Sequence, residues 1–103
     1  MIEEIVADES ASRERAVSVV IPAYNEAAHV AEQVRAVDTV MRDSGWKYEI
    51  IVVDDGSKAG TAEAADVNGV RVLRRRQNQG YGAALKLGIH RAQHEWILIT
   101  DAD

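Results

Sequence analysis

Apolar and polar positions along this chain alternate between two spacings. From Ala16 the pattern is regular. Val17-Ser18-Val19-Val20-Ile21 is a β-branched run that predicts a strand closed by Pro22, because proline donates no ladder hydrogen bond. Val30, Val34, Val37 and Met41 recur at helical spacing and define one apolar face. Asn25 is a candidate cap for that helix, Glu26 suits its electropositive first turn, and Ser44-Gly45 ends it. Tyr48 to Val53 predicts a second strand. Its Ile50-Ile51-Val52-Val53 core does not alternate, as expected where both faces of a parallel sheet are covered. Asp54-Asp55-Gly56-Ser57 then reads as a polar turn.

A short helix is predicted from Thr61 to about Asp66, and Val70 to Leu73 makes a third strand, with Arg71 pointing to an edge position. Gly80-Tyr81-Gly82 leads into a helix with Ala84, Leu85, Gly88 and Ala92 on one face, and those glycines suit a tight turn and close helix–sheet packing. Glu95 to Thr100 is the fourth strand, with Trp96 to Ile99 as its core and Asp101-Ala102-Asp103 at its end. Strand and helix thus alternate, which predicts an α/β fold: an open, mainly parallel sheet with helices on both faces and right-handed crossovers. Residues 1–15 are polar, lack a firm period and read as a flexible leader; residues 16–103 form the domain. Trp46 and Trp96 are expected to pack at strand entrances, and His29, His90 and His94 to lie on the surface.

Composition narrows the function. Of the 103 residues, 47% are hydrophobic and 28% charged, which suits a globular domain rather than disorder. A net charge of −5 argues against a general electrostatic footprint for nucleic acid. Cysteine is absent, which removes disulfides, thiolate metal sites and thiol nucleophiles. Neither a secretory signal pattern nor an apolar run of membrane-spanning length occurs, so the expectation is a cytoplasmic location.

Ligands of open α/β sheets bind beyond the carboxyl ends of the strands. Glu26, Asp54, Asp55, Asp101 and Asp103 are all expected at that rim. Such a cluster requires a cation or hydrogen-bond donors. A hard divalent ion accepts carboxylate oxygens, and a nucleoside offers ribose hydroxyls and base N–H groups. Plainer roles suit several of these residues: Asp54 and Asp55 could cap a turn, and Glu26 could serve only its helix. Arg74-Arg75-Arg76 reads as a solvated edge, with diphosphate or lipid phosphate as the functional alternative.

The segments Val19 to Glu26, Ile51 to Ser57, Asn78 to Ala84 and Asp101 to Asp103 resemble, in order, the motifs of family 2 glycosyltransferases, with the flavour of the polyprenyl-phosphate sugar transferases. The resemblance runs from Val17 to Asp103 and implies the Rossmann-like nucleotide-binding half of a GT-A fold. It implies a nucleotide-diphosphate sugar donor, Mg2+ or Mn2+, and an inverting reaction. Pro22, Ala23, Tyr24, Glu26, Asp54, Asp55, Gly80 and Asp101 would contact the nucleotide-sugar, and Asp103 with Asp101 would hold the metal. Family members continue beyond the metal motif into an acceptor-binding half that carries the catalytic base. The resemblance therefore assigns no base here and suggests a lipid-linked phosphate as acceptor. A receiver-like module is disfavoured, because its paired acids would follow the first strand rather than the second. The apolar fourth strand, left as a sheet edge, predicts pairing with a second copy of the chain.

Overall fold

The structure is a computed structural model that describes residues 15–58, 60–65 and 69–101. Within them strand and helix alternate: β1 (Ala16–Ala23), α1 (Ala27–Ser44), β2 (Lys47–Asp55), α2 (Thr61–Ala65), β3 (Val70–Arg75), α3 (Tyr81–Arg91) and β4 (Trp96–Ile99). The strands pair in parallel in the order β3-β2-β1-β4. This is the expected open α/β sheet. The leader expected over residues 1–15 lies, except for Arg15, outside the described residues.

Side-chain alternation along β1 and β2 divides the core between two faces. Val19, Ile21, Ile50 and Val52 meet Val30, Val34 and Met41 of α1 and Ala65 of α2. On the other face Val20, Ile51 and Val53 meet Ala84 of α3, with Leu85 and Leu87 beside it. The unbroken apolar run of β2 is therefore needed, because both of its faces are covered. Gly88 brings α3 close: a Cβ there would stand 2.4 Å from Val20 Cγ1.

Strand boundaries differ from those the pattern predicts: β3 runs on from Leu73 to Arg75, and β4 spans Trp96–Ile99 rather than Glu95 to Thr100. β1 does not stop at Pro22 but continues to Ala23. The carbonyl of Val20 accepts from Thr100 N, so that residue faces β4. Pro22, two residues on, directs its missing donor to the same side, where β4 has already ended. The proline therefore costs no ladder bond. β2 runs on to Asp55, so Asp54 and Asp55 are strand residues and not a turn. Their pairing to Arg74 and Arg75 of β3 sustains the ladder. Asn25 also departs from its expected role. It adopts φ 54°, and α1 is entered through Glu26 without a side-chain cap bond.

β3 and β4 form the sheet edges. Arg71 sits on the edge strand, as its charge suggested. Trp46 is half-buried against the core, but Trp96 is 65% exposed and does not pack as expected. The core layer under α1 draws on β1 and β2, with Val70 and Val72 of β3 packed against it, and takes in no residue of β4, which leaves Trp96 and Leu98 exposed on that side.

A charged network closes the amino end of the sheet. Glu49, 11% exposed, accepts from Ser18 Oγ, from Arg71 Nη1 at 2.8 Å and from Gln93 N at 2.7 Å. His94 N donates to Ser18 Oγ, and Arg71 Nη1 also donates to the carbonyl of Arg91, the last residue of α3. One carboxylate thus ties the three strands β1, β2 and β3 to the segment joining α3 to β4. Burial pushes the Glu49 carboxyl up, but the bonds from Gln93, Ser18 and Arg71 outweigh it and the net shift is downward.

A depressed carboxyl contributes stability above its unfolded value of about 4.3, and this is lost as pH falls through the lowered folded value. Urea unfolding of the protein and of Glu49→Gln is expected to differ most near neutral pH, by ~1.5–3 kcal/mol, and to converge in acid. A gap independent of pH would count against the network. Gly88→Ala is expected to lose ~1–3 kcal/mol by overpacking against Val20, read from the same denaturation curves.

Candidate functional site

Strand order reverses around β1, with β2 on one side and β4 returning on the other. Such a switch point leaves a crevice beyond the carboxyl ends of the strands. The structure has a cavity of about 210 Å³ there. It is lined by Pro22, Ala23 and Tyr24 after β1, Asp55 at the end of β2, and Asn78, Tyr81 and Ala84 around the start of α3.

Asp55 organises this cavity. Its Oδ1 accepts from Gln79 N at 3.0 Å and its Oδ2 from Gly80 N at 2.8 Å. α3 has no side-chain cap of its own, so the carboxylate from β2 anchors its entry from a distance. Gly80 turns the chain there at φ 100°, a conformation that favours glycine. Arg75 lies directly across the ladder from Asp55, with Nε 3.7 Å from Oδ1. Its guanidinium also donates to Gln79 Oε1 and to the carbonyl of Ala83. Arg75 is only 14% exposed, which corrects the reading of the arginine run as a solvated edge. Arg74 and Arg76 do face solvent.

Neighbouring residues of a strand point to opposite faces, and this separates the acidic pair. Asp54 is buried on the side of α1 and α2. Its Oδ1 accepts from Ser57 N at 3.1 Å, and its Oδ2 lies 3.9 Å from Arg74 Nε without a hydrogen bond. Two Asp–Arg pairs therefore stand in register, one on each face. Asp55 lines the cavity, and Asp54 braces the following turn.

Loop contacts hold the walls. Asn25 N donates to Ser57 Oγ, and Asn25 Oδ1 accepts from Lys58 N, so Asn25 fastens the β1 loop to the β2 loop instead of capping α1. A Cβ on Gly56 would fall 2.4 Å from Asn78 N, which shows how closely the β2 and β3 loops approach.

Glu26 bonds His29 at 3.3 Å and does not line the cavity, and Gly80 contributes through its amide to Asp55. Asp101 is exposed beyond β4, and its Oδ1 accepts from Tyr81 Oη at 3.2 Å. The Tyr81 phenol is pushed above its ordinary value by desolvation, then by the charge of Asp101 and the bond to it. Asp103, the expected metal ligand, lies outside the described residues. The carboxylates do not gather as one cluster: among the described residues no group of three or more His, Cys, Asp or Glu side chains is placed to hold a metal ion. Alternation along β2 and separate partners for Glu26, Asp54 and Asp55 are the cause. Hard ions that bridge diphosphates use one or two carboxylates, with phosphate and water supplying the rest. The exposed Asp101 fits that donor chemistry.

The resemblance had singled out Pro22, Ala23, Tyr24 and Asp55, and all four line the cavity. Asn78 and Tyr81 fell within a motif but were given no role, and Arg75 was read as part of a solvated run. The available signal for Arg75 was the match of two adjacent acids on one strand with two adjacent arginines on the next.

Replacing Asp55 by Ala removes two charge-assisted bonds to backbone. Amide hydrogen exchange at Gln79 and Gly80 is expected to rise by about 10-fold or more, from ~1.5–3 kcal/mol of lost hydrogen bonding, while Asp54→Ala leaves those two amides unchanged. Equal exchange in both variants would refute the anchoring role of Asp55.

The model of the family described as Glycosyl transferase family 2 matches residues 18–103. The chain is 39% identical over 93 residues to undecaprenyl-phosphate 4-deoxy-4-formamido-L-arabinose transferase of Pseudomonas paraeruginosa, covering 84% of this chain and 27% of that protein. It is 37% identical over 98 residues to dolichyl-phosphate beta-glucosyltransferase of Homo sapiens, covering 84% of this chain and 30% of that protein. Among solved structures, glucosyl-3-phosphoglycerate synthase from Mycobacterium tuberculosis, in complex with Mn2+, UDP and glucosyl-3-phosphoglycerate, superposes with a TM-score of 0.76. That pair shares 30% identity, over 92% of this chain and 36% of that one. A mannosyltransferase from Pyrobaculum calidifontis, in complex with GDP-Man and Mn2+, superposes with a TM-score of 0.73. Here the identity is 29%, over 89% of this chain and 28% of that one. The chain thus spans less than a third of the length of the two curated relatives, and the shared sheet is that of the GT-A glycosyltransferases. A family match that begins at Ser18 takes in all but the first residues of β1 and every later strand and helix, so the chain belongs to glycosyl transferase family 2.

Proposed function

We propose that this chain binds a nucleotide-diphosphate sugar together with Mg2+ or Mn2+, as the donor half of an inverting glycosyltransferase acting on a polyprenyl phosphate. The observation that carries the reading is the cavity at the switch point, walled by Tyr24 and Tyr81, floored by Asp55 and adjoined by Asp101. Its volume of about 210 Å³ is below the ~300–1,000 Å³ of a complete small-ligand site and suits the nucleoside end of the donor.

Each Asp55 oxygen accepts one backbone N–H and retains lone-pair capacity for a base N–H or a ribose hydroxyl. Pro22, Ala23 and Tyr24 supply the apolar wall. Asp101 and Asp103 are the residues that would hold the ion, which when bound offsets the charge that grows on the departing diphosphate. An acceptor oxygen attacks the anomeric carbon from the opposite face, the bond from that carbon to the diphosphate oxygen breaks, and the nucleoside diphosphate leaves.

Polyprenyl phosphate as acceptor is supported by relatives named for undecaprenyl-phosphate and dolichyl-phosphate. Such an acceptor is held in lipid while the donor is water-soluble, which supports a reaction at a membrane surface; the cytoplasmic face is part of this proposal. Among the described residues no helix is long and apolar enough to cross one. The receiver-like alternative has no remaining support, given the family match.

Calorimetric titration with UDP and with GDP, each with and without Mn2+, tests the proposal. One nucleotide is expected to bind with a requirement for Mn2+ that Asp103→Ala abolishes, and Asp55→Ala is expected to weaken that nucleotide by at least about 10-fold through its lost hydrogen bonds. Failure of both nucleotides, here and in a chain extended to the length of the relatives, would overturn it.

A further inference from the structure

Tyr81 joins two parts of the site that come from opposite ends of the sheet order. It is the first residue of α3, its ring lines the cavity, and its hydroxyl reaches Asp101 beyond β4. The backbone on either side of it is fixed. Asp55 holds the amides of Gln79 and Gly80, and Arg75 holds the carbonyl of Ala83. The chain leading to Asp101 is fixed as well, by Thr100 N on the carbonyl of Val20 and Gln33 Nε2 on Thr100 Oγ1. Two rigid supports therefore present a phenol and a carboxylate to one another at 3.2 Å.

We propose that Tyr81 is a positioning residue for a divalent cation: its hydroxyl holds Oδ1 of Asp101, leaves Oδ2 as the oxygen offered to the ion, and couples ion binding to occupancy of the nucleoside cavity. The inference rests on the donor-site reading above and gives a role to a motif residue to which the sequence had assigned none. The physical basis is rotamer freedom. An exposed aspartate must give up its side-chain rotations to ligate an ion, and a partner bonded to its other oxygen has already restricted them. Losing such an outer partner costs about 10–100-fold in metal affinity. The coupling follows because one side chain touches both places. A nucleoside that packs against the ring restrains the hydroxyl, and by linkage a bound ion that orders Asp101 strengthens nucleoside binding by the same factor. A nucleoside without phosphates cannot bridge the ion, so any such coupling must pass through the protein.

The test measures Mn2+ affinity by the electron paramagnetic resonance of free Mn2+, for the unsubstituted chain and for Tyr81→Phe, alone and with saturating uridine or guanosine. Tyr81→Phe keeps the ring and removes only the hydroxyl. Expected is a loss of about 10-fold in Mn2+ affinity, at the lower end for an outer partner, with disappearance of the gain that the nucleoside gives the unsubstituted chain. A second readout separates positioning from folding. With 3-fluorotyrosine incorporated, the Tyr81 fluorine resonance, identified by its absence in Tyr81→Phe, is expected to shift on adding Mg2+ and to stay still in Asp101→Ala. Unchanged Mn2+ affinity in Tyr81→Phe, or a Tyr81 resonance indifferent to Mg2+ while the chain binds the ion, overturns the inference and leaves the donor reading standing. An unsubstituted chain that binds Mn2+ neither alone nor with a nucleoside diphosphate overturns both.

Discussion

The site depends on a carboxylate that leaves its own strand to finish another element. Asp55 ends β2, yet its oxygens serve the amides that open α3. A helix entry normally needs a local side-chain acceptor for its free N–H groups. Here the acceptor lies more than twenty residues earlier in the chain, so α3 can begin as it does only when the sheet has formed. Arg75, one strand further out, compensates the buried charge and reaches on to the first turn of α3. Remove this arrangement and three things move together: the wall carrying Asn78, the position of Tyr81, and the floor of the cavity. The shape of the site is thus a tertiary property, although every residue in it is supplied by a short motif.

That dependence explains what could be read from the chain and what could not. The strand cores and the apolar face of α1 were legible, because burial on two faces and burial on one face leave different spacings. The fold class followed from their order. Pro22, Asn25 and the end of β2 were misread for a shared reason: each is settled by a neighbouring strand. Proline was taken as a stop, but β4 is too short to need its donor. Asn25 has the composition of a cap, but the β2 loop claims both its amide and its side-chain oxygen. Asp54 and Asp55 look like a turn until Arg74 and Arg75 extend the ladder opposite them. At the site, the motif order named the segments correctly. It could not show that strand alternation sends Asp54 away from the cavity, nor that Tyr81 and Asp101 meet.

The two ends of the sheet resolve their charges differently. At the amino end, Glu49 is satisfied by Ser18, Arg71 and the Gln93 amide, and the network is turned inward on structure. A carboxylate so fully bonded has little left to offer a ligand. At the carboxyl end the bonding is incomplete. Asp54 Oδ2 and Arg75 Nε are buried without hydrogen bonds, and Asp101 stands exposed beside an open cavity. Buried polar atoms without partners are uncommon in folded proteins, and each calls for a physical explanation. The contrast lies within one sheet and among similar residue types, so composition alone does not create it. Strand length does: β1 and β2 outrun β4 at the carboxyl end and leave room there.

Distribution of the carboxylates also bears on how an ion would be held. A protein that gathered Glu26, Asp54, Asp55 and Asp101 around one point would bind a divalent cation without any substrate, and their mutual repulsion would destabilise the empty fold. Here each has a partner of its own: His29, Ser57, the Gln79 and Gly80 amides, and Tyr81. Among the described residues no three such side chains gather around one point, so a hard cation there would complete its shell from elsewhere, and a diphosphate could supply oxygens. On the proposed donor-site reading, ion and donor would then strengthen one another: the diphosphate would add oxygens to those of the protein, and the ion would offset the diphosphate's charge. Alternation along β2 sends Asp54 and Asp55 to opposite faces, and the partners of Glu26 and Asp101 keep those two apart from them, so the folded chain is spared the repulsion of a gathered cluster.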